Sequence, residues 1–414
     1  MGPRHQRGVT VVMVLVAMLA LIGVAGLAID TSHILLNKAR LQSTLDASAL
    51  AAAKVLDQTA STSLATTAAN SVLTLNLAQY PELQSAASGG VTMTTQYSST
   101  LNPFSAGTLP AKFVRTSIVG FRTRMSLVSA LGIDALDVGG NAVAGPSPTL
   151  QQVCNIVPIM MCASSAAPAP LFGYSVNQVL GLKKVPSNGA TGADLGPGNY
   201  NLISIGGTGA ALVRTNFAGS YDACATMGNT MTTEPGVAAG PVEQGVNTRF
   251  NKFQAGLSAS EYPPDVINSS AHQTSLSDTA QGCGRNCTDG IWQGTTLITT
   301  ASQLTFNWDN YKALLPSGPY DTQPRPNGTG GFRRREVAVP IGDCSTAVNG
   351  RGSVNVLGFA CLFLLQEMSN GGQEQLYAQV ISGCDTGGRP GAGAGSGPGP
   401  HIIELYKSAG SPDS

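Results

Sequence analysis

The sequence predicts an α+β protein: an N-terminal transmembrane helix that continues into a long amphipathic helix packed on a small antiparallel sheet, followed by a β-rich, loop-rich region. Three observations carry this reading. Val9 to Ile29 holds no charged side chain, and Thr10 is its only clearly polar one. Apolar residues then recur at helical spacing well beyond Asp30, with no proline between Pro3 and Pro81. From residue 147 onward, short apolar runs alternate with Gly and Pro turn signals, and all eight cysteines fall in this part.

Residues 1–8 carry Arg4, His5 and Arg7, with no acid to offset them. An excess of basic charge holds such an end in the cytoplasm and sends the rest of the chain across the membrane. Residues 9–29 form the span. At about 1.5 Å per residue, roughly twenty apolar residues cover roughly 30 Å, the hydrocarbon thickness of a bilayer. Val9, Leu15, Leu19, Gly23, Gly26 and Ile29 mark this anchor, and Gly23, Ala25, Gly26 and Ala28 let a second helix approach closely. A cleaved export signal competes with the anchor, because Ala25-Gly26-Leu27-Ala28 offers small residues at spacings that suit a signal peptidase.

Residues 30–146 form the next region. Leu41, Leu45, Ala49, Ala52 and Leu56 make an apolar stripe, while Asn37, Arg40, Ser43, Ser48, Lys54 and Asp57 fall mostly outside it. That is a helix with one face on a core. A Thr/Ser/Ala-rich helical stretch runs on to about Ala78, closed by Pro81. Strands are expected over 91–96, 112–122 and 135–144, with a short helix at 126–131 ending on Gly132. Packing the helix on these strands buries the stripe and one strand face. Pro146-Ser147-Pro148 marks a boundary.

Residues 147–414 read as all-β with long loops. Strands are expected over 156–161, 200–205, 294–300, 335–341, 354–365, 376–382 and 402–406. The run from Val356 to Leu365 is too short to span a bilayer and reads as a core strand. The cysteines are Cys154, Cys162, Cys224, Cys283, Cys287, Cys344, Cys361 and Cys384. An even count in an exported region predicts disulfides, with Cys154–Cys162 and Cys283–Cys287 as candidate local bridges. Zinc is the weaker reading, since one Cys-x3-Cys has no second ligand pair to complete it.

At 414 residues the chain has room for an anchor and about two folded units. Zero net charge and 11 % charged residues give no argument for nucleic-acid binding, which needs a basic face to neutralise phosphates. His5, His33, His272 and His401 stand near no Gly-x-Ser-x-Gly elbow or His-Glu-x-x-His helix, so no catalytic, cofactor or metal site is expected. Gly206-Gly207-Thr208-Gly209 lacks the Lys-Ser/Thr of a phosphate loop and reads as a tight turn. Arg333-Arg334-Arg335 reads as a solvated strand end, with contact to an acidic partner as the alternative.

Arg7-Gly8, the apolar run, Gly26-Leu27-Ala28-Ile29-Asp30, Arg40-Leu41-Gln42 and the helix Asp46-Ala47-Ser48-Ala49-Leu50-Ala51-Ala52-Ala53 together resemble the N-terminus of TadE/TadG-like Flp-pilus assembly proteins. The strands closing on Ala142-Val143-Ala144-Gly145 are similar to that family less specifically. So are four motifs further on: Cys154 to Pro158, Gly196 to Leu202, Thr233 to Gly236, and Gly245 to Phe250. The resemblance implies a pseudopilin-like first region and a non-enzymatic accessory or scaffold role in a Tad (Flp) pilus-assembly or secretion machine. It implies a single-pass inner-membrane protein with its bulk in the periplasm. Its partners would be other assembly proteins of the membrane or pilus subunits, with no nucleic acid or small-molecule substrate. Pilins cleaved after a Gly such as Gly8 carry Glu at the fifth mature position, where this chain has Met13, so polymerisation through that Glu is not expected. Asp30, with Leu41, Leu45, Ala49, Ala52 and Leu56, is a candidate for helix interactions. Asp30 either marks the membrane interface or touches a neighbouring anchor. The competing functional readings are a surface or secreted adhesin and a periplasmic hydrolase. Asp30-Thr31-Ser32-His33-Ile34 lacks the final Ser of a von Willebrand A metal motif.

Overall fold

The computed structural model describes residues 7–80, 92–125, 129, 132, 134–182, 195, 198–219, 221–281, 290–315, 330–346, 348, 350–369, 375–390 and 397–407. The chain is mixed α+β and divides into two compact units, Met1–Gly145 with Ile403–Ser414, and Pro146–Ile402.

In the first unit α1, Arg7–Thr59, is one unbroken helix of 53 residues. It stops where Ala60 adopts a left-handed φ of 55°, and the Ser61 hydroxyl then accepts the Leu64 N–H to cap α2, Thr62–Gln79. Three strands, β1 (Met93–Ser98), β2 (Phe113–Arg124) and β3 (Ala135–Pro146), pair antiparallel in that order. Ile403–Tyr406 joins this sheet beside β3, although it comes after the whole second unit in sequence. The predicted helix at 126–131 lies largely outside the described residues.

The two periodicities meet in one core. Leu41, Leu45, Ala49, Ala52 and Leu56 of α1 recur every three or four residues and are buried against Ala65 and Ala69 of α2, Val114 and Ile118 of β2, and Ala142 of β3. The alanines let helix and sheet approach. The Thr116 hydroxyl donates to the Leu45 carbonyl at 3.0 Å, and the Gln42 amide donates to the Asn141 carbonyl at 3.0 Å. Ile118 and Phe121 both face the core although three residues apart. A bulge between them, with Gly120 at φ 72°, resets the alternation.

The second unit is built on β9 (Ser353–Leu364). It pairs antiparallel with β8 (Glu336–Asp343), with β10 (Tyr377–Ile381) and, through its first residues, with β7 (Thr230–Pro235). Beyond β8, β4 (Leu150–Ile156) runs parallel to it and antiparallel to β6 (Tyr221–Thr226), while β5 (Asn199–Ile203) pairs with β7. Ala360, Leu362 and Leu364 of β9 face one core, and Cys361 and Phe363 face another. A strand covered on both faces is why Val356 to Leu365 reads as an uninterrupted apolar run.

The expectation of an all-β second half is corrected by three helices, α3 (Ala210–Gly219), α4 (Ala239–Asn247) and α5 (Trp308–Leu314). Val213, Phe217, Val242 and Val246 bring α3 and α4 onto the sheet. These helices are too short to show a periodic signal. Gly245 sits where they meet, and a Cβ there would lie 2.4 Å from the Arg214 carbonyl oxygen. The strand expected over 156–161 is also corrected: β4 ends at Ile156, and pairing with β8 resumes at Met161–Ala163.

Candidate functional site

The candidate site is α1, taken from its free end to its packed end. Leu15, Leu19 and Ile29 are at least half exposed, and a Cβ on Gly23 would meet open space. Exposed apolar side chains surround the helix from Val11 to Val24, on every side rather than along a stripe. Val9 lies in the first turns of the same helix. Uniform hydrophobicity over this length suits lipid on all sides. By length and composition this is the one helix among the described residues able to cross a membrane, and an N-terminal signal sequence meets the same criteria.

Burial begins at Gly26 and Asp30, then continues through Asn37, Leu41, Leu45, Ser48, Ala52 and Leu56. Asp30, 3 % exposed, therefore belongs to the face of α1 that its own chain covers, while its neighbour Ile29 is 50 % exposed. Leu41, Leu45, Ala49, Ala52 and Leu56 are occupied in the same way, inside the first unit's core. A second helix meeting α1 finds the opposite side, where Leu35 and Leu36 are exposed.

The disulfides fix the second unit. Cys154 joins Cys224 directly across β4 and β6, Cys162 joins Cys344, and Cys361 joins Cys384. The local bridge Cys154–Cys162 is thus overturned, because strand pairing places Cys224 beside Cys154 while Cys162 sits on a different strand, alongside the end of β8. Cys283 and Cys287 lie outside the described residues.

The Arg333–Arg335 reading is also overturned. Arg335 is fully buried. Its Nε donates to the Leu364 carbonyl at 2.9 Å, Nη1 to the His272 carbonyl at 2.7 Å, and Nη2 to the Leu365 carbonyl at 3.0 Å. Phe250 and Phe363 lie 4.8 and 4.5 Å from its guanidinium carbon. Arg334 donates to the carbonyls of Pro263 and Ala218, and Arg249 to those of Phe217 and Arg334. Arg333 pairs with Glu336 at 3.4 Å. Guanidinium groups carry enough donors to tie several buried carbonyls at once. Asp265 stands among them and accepts from the Tyr311 hydroxyl at 2.8 Å and the backbone N–H of Arg335 and Ile267. Burial pushes the Asp265 carboxyl above its usual range and holds Arg249 well below its own. This polar set braces the strand start of β8; sequence alone offered no sign of it.

His272 meets the Ser269 hydroxyl through Nδ1 at 3.2 Å, a local contact within one short turn, and packs on Phe306. Gly209 donates its N–H to the Glu234 carboxylate at 3.2 Å, so a carboxylate already sits at the Gly206–Gly209 turn. Among the described residues no group of His, Cys, Asp and Glu is placed to hold a metal ion.

Residues 8–55 match the Tad family model, described as Putative Flp pilus-assembly TadE/G-like. No curated protein and no solved structure matches the chain. The Tad match lies wholly within α1 and runs across both its exposed apolar half and its core-packed half. The segment that carries the Tad signature is therefore the one that joins a candidate membrane span to a folded unit.

Proposed function

We propose that this chain is a non-enzymatic, membrane-anchored accessory or scaffold component of a Tad (Flp) pilus-assembly or secretion apparatus. The observation that carries the reading is the Tad match over residues 8–55, on a helix open and apolar at one end and built into a helix-on-sheet unit at the other. A long helix laid on a small antiparallel sheet is a pseudopilin-like arrangement, and we assign the first unit to it. The basic residues Arg4 and Arg7 favour a cytoplasmic N-terminus, which puts both units in the periplasm. The disulfides among the described residues favour the same oxidising side. Its partners are other Tad membrane proteins and pilus subunits, met through the open side of α1 and the surfaces of the two units.

The test is intact mass and fractionation of the protein from its own cells, with pilus counts in a deletion strain. A full-length mass in carbonate-resistant membranes, with loss of pili on deletion, is the expected result. A mass starting near Ile29 in soluble fractions, with pili unchanged, would replace the assembly reading by the secreted adhesin.

A further inference from the structure

The sheet of the first unit has a second face, away from α1, and that face holds a cleft of about 830 Å³. Val114 and Thr116 of β2 are buried toward α1, so Arg115 between them stands on the opposite face. The register places Gln96 of β1 and Val143 of β3 directly beside Arg115. Further along the same strand, Arg122 has Asp137 directly opposite. At Arg115 the register supplies no such acid. Its guanidinium carbon lies 4.0 Å from the centre of the Phe104 ring, and its Nε is shielded from solvent without a hydrogen-bond partner among the described residues. Lys407 lines the same cleft, and none of the described lining residues is acidic. Glu404, near Lys407 in sequence, is hydrogen-bonded to Tyr406.

The wall that carries Phe104 is built in advance. The Lys112 N–H donates to the Ser98 carbonyl at 2.8 Å, and the Ser98 hydroxyl oxygen accepts the N–H groups of Thr100 and Ser105 at 3.1 Å. A shielded guanidinium on a fixed aromatic ring is pre-organised for a planar anion, because it loses little freedom when a carboxylate arrives. Ser117 and Asn141 supply uncharged polar groups beside it, and half-buried Leu101 supplies apolar surface. Phosphate would suit a cluster of cations; one arginine and one lysine among amide, hydroxyl and apolar side chains suit a peptide better.

We propose that this cleft receives an acidic side chain of an extended segment from a partner protein, with Arg115 holding the carboxylate, Lys407 assisting, and Leu101 taking an adjacent apolar residue. The proposal rests on the geometry of the first unit and does not need the pilus reading.

The experiment uses the full chain in neutral detergent micelles, titrated with acetyl-Leu-Glu-Leu-amide and, separately, acetyl-Leu-Gln-Leu-amide. The readouts are the backbone amide resonances of Ser117 and Asn141 and the Arg115 Nε–H resonance. The expected result is a saturable shift with the Glu peptide, weaker by about tenfold or more with the Gln peptide, as for a lost charge-assisted pair. Arg115→Gln should abolish saturation, Lys407→Gln should weaken it, and Arg122→Gln should leave it unchanged. Phe104→Ala gives a second route to the same loss if Arg115→Gln does not fold. Equal response to the two peptides, or none to either, overturns the proposal. So does a response confined to phosphatidylglycerol vesicles, which would make the cleft a lipid contact.

Discussion

Asp265 shows how one buried residue organises several others. It accepts from Tyr311 and from two backbone N–H groups, and it sits among guanidinium groups that are themselves spent on carbonyls. Asp265→Ala leaves those donors buried and unpaired, and should destabilise the second unit by about 3–5 kcal/mol. Urea unfolding followed by tryptophan fluorescence measures this, since Trp308 is buried in the same core as Tyr311. The pH dependence has a defined sign. A carboxyl whose folded pKa is raised above the ordinary 3.8 contributes its full stability below that value and loses it as pH rises through the folded pKa. Asp265→Asn removes the titration, so wild type should fall relative to this variant as pH rises above the ordinary carboxyl value of 3.8, disulfides intact. A constant difference as pH rises would remove Asp265 as the titrating group. None of this was legible beforehand. Arg333-Arg334-Arg335 reads as surface because arginine usually is, and its burial depends on carbonyls at Pro263, Ala218 and Leu364, far away in sequence. Asp30 was within reach: counting back from Leu41 by three and four residues through Asn37 and Ile34 arrives at Asp30 and Gly26, on the covered face.

α1 carries two environments on one helix, and substitutions should separate them. Leu45→Ala removes a fully buried side chain and should cost about 2–5 kcal/mol, seen as a lower thermal midpoint of the helical circular-dichroism signal in micelles. Leu19→Ala, at a position 69 % exposed, should leave that midpoint within the error. If both shift it equally, the apolar half packs on protein rather than lipid. At the junction with α2, Ser61→Ala removes a cap and should cost about 1 kcal/mol in the same melt. The long elements were readable because each holds its period over several turns or pairs: the stripe in α1, the alternation in β2, the double-faced run in β9. α3, α4 and α5 hold theirs for too few residues, and α4 carries Gly240, Pro241 and Gly245, which signal a turn when read alone. Tertiary contact overrides that local preference, since Val242 and Val246 are fully buried on the sheet.

At the scale of the molecule, covalent reinforcement is confined to one unit. All eight cysteines lie between residues 154 and 384, within Pro146–Ile402, and the first unit relies on its helix-on-sheet core alone. Position in the sequence could not choose the partners, because strand order rather than proximity brings cysteines together: Cys162 and Cys344 are 182 residues apart, whereas Cys361 and Cys384 are separated by 23. A cross-link stabilises mainly by restricting the unfolded chain, by about 3 kcal/mol for a short loop and about 5 kcal/mol for a long one. Replacing Cys162 and Cys344 together by Ala should therefore destabilise the second unit more than replacing Cys361 and Cys384. Both tryptophans, Trp292 and Trp308, belong to that unit, so fluorescence reports on it, while far-ultraviolet circular dichroism is dominated by α1 and α2. Reductant should move the fluorescence transition to lower temperature and leave the helical transition in place. A common shift of both would mean that the helix-on-sheet core does not stand on its own contacts. The two units thus use different means of stabilisation: the first folds on α1 itself, and the second adds disulfides to its strand pairing.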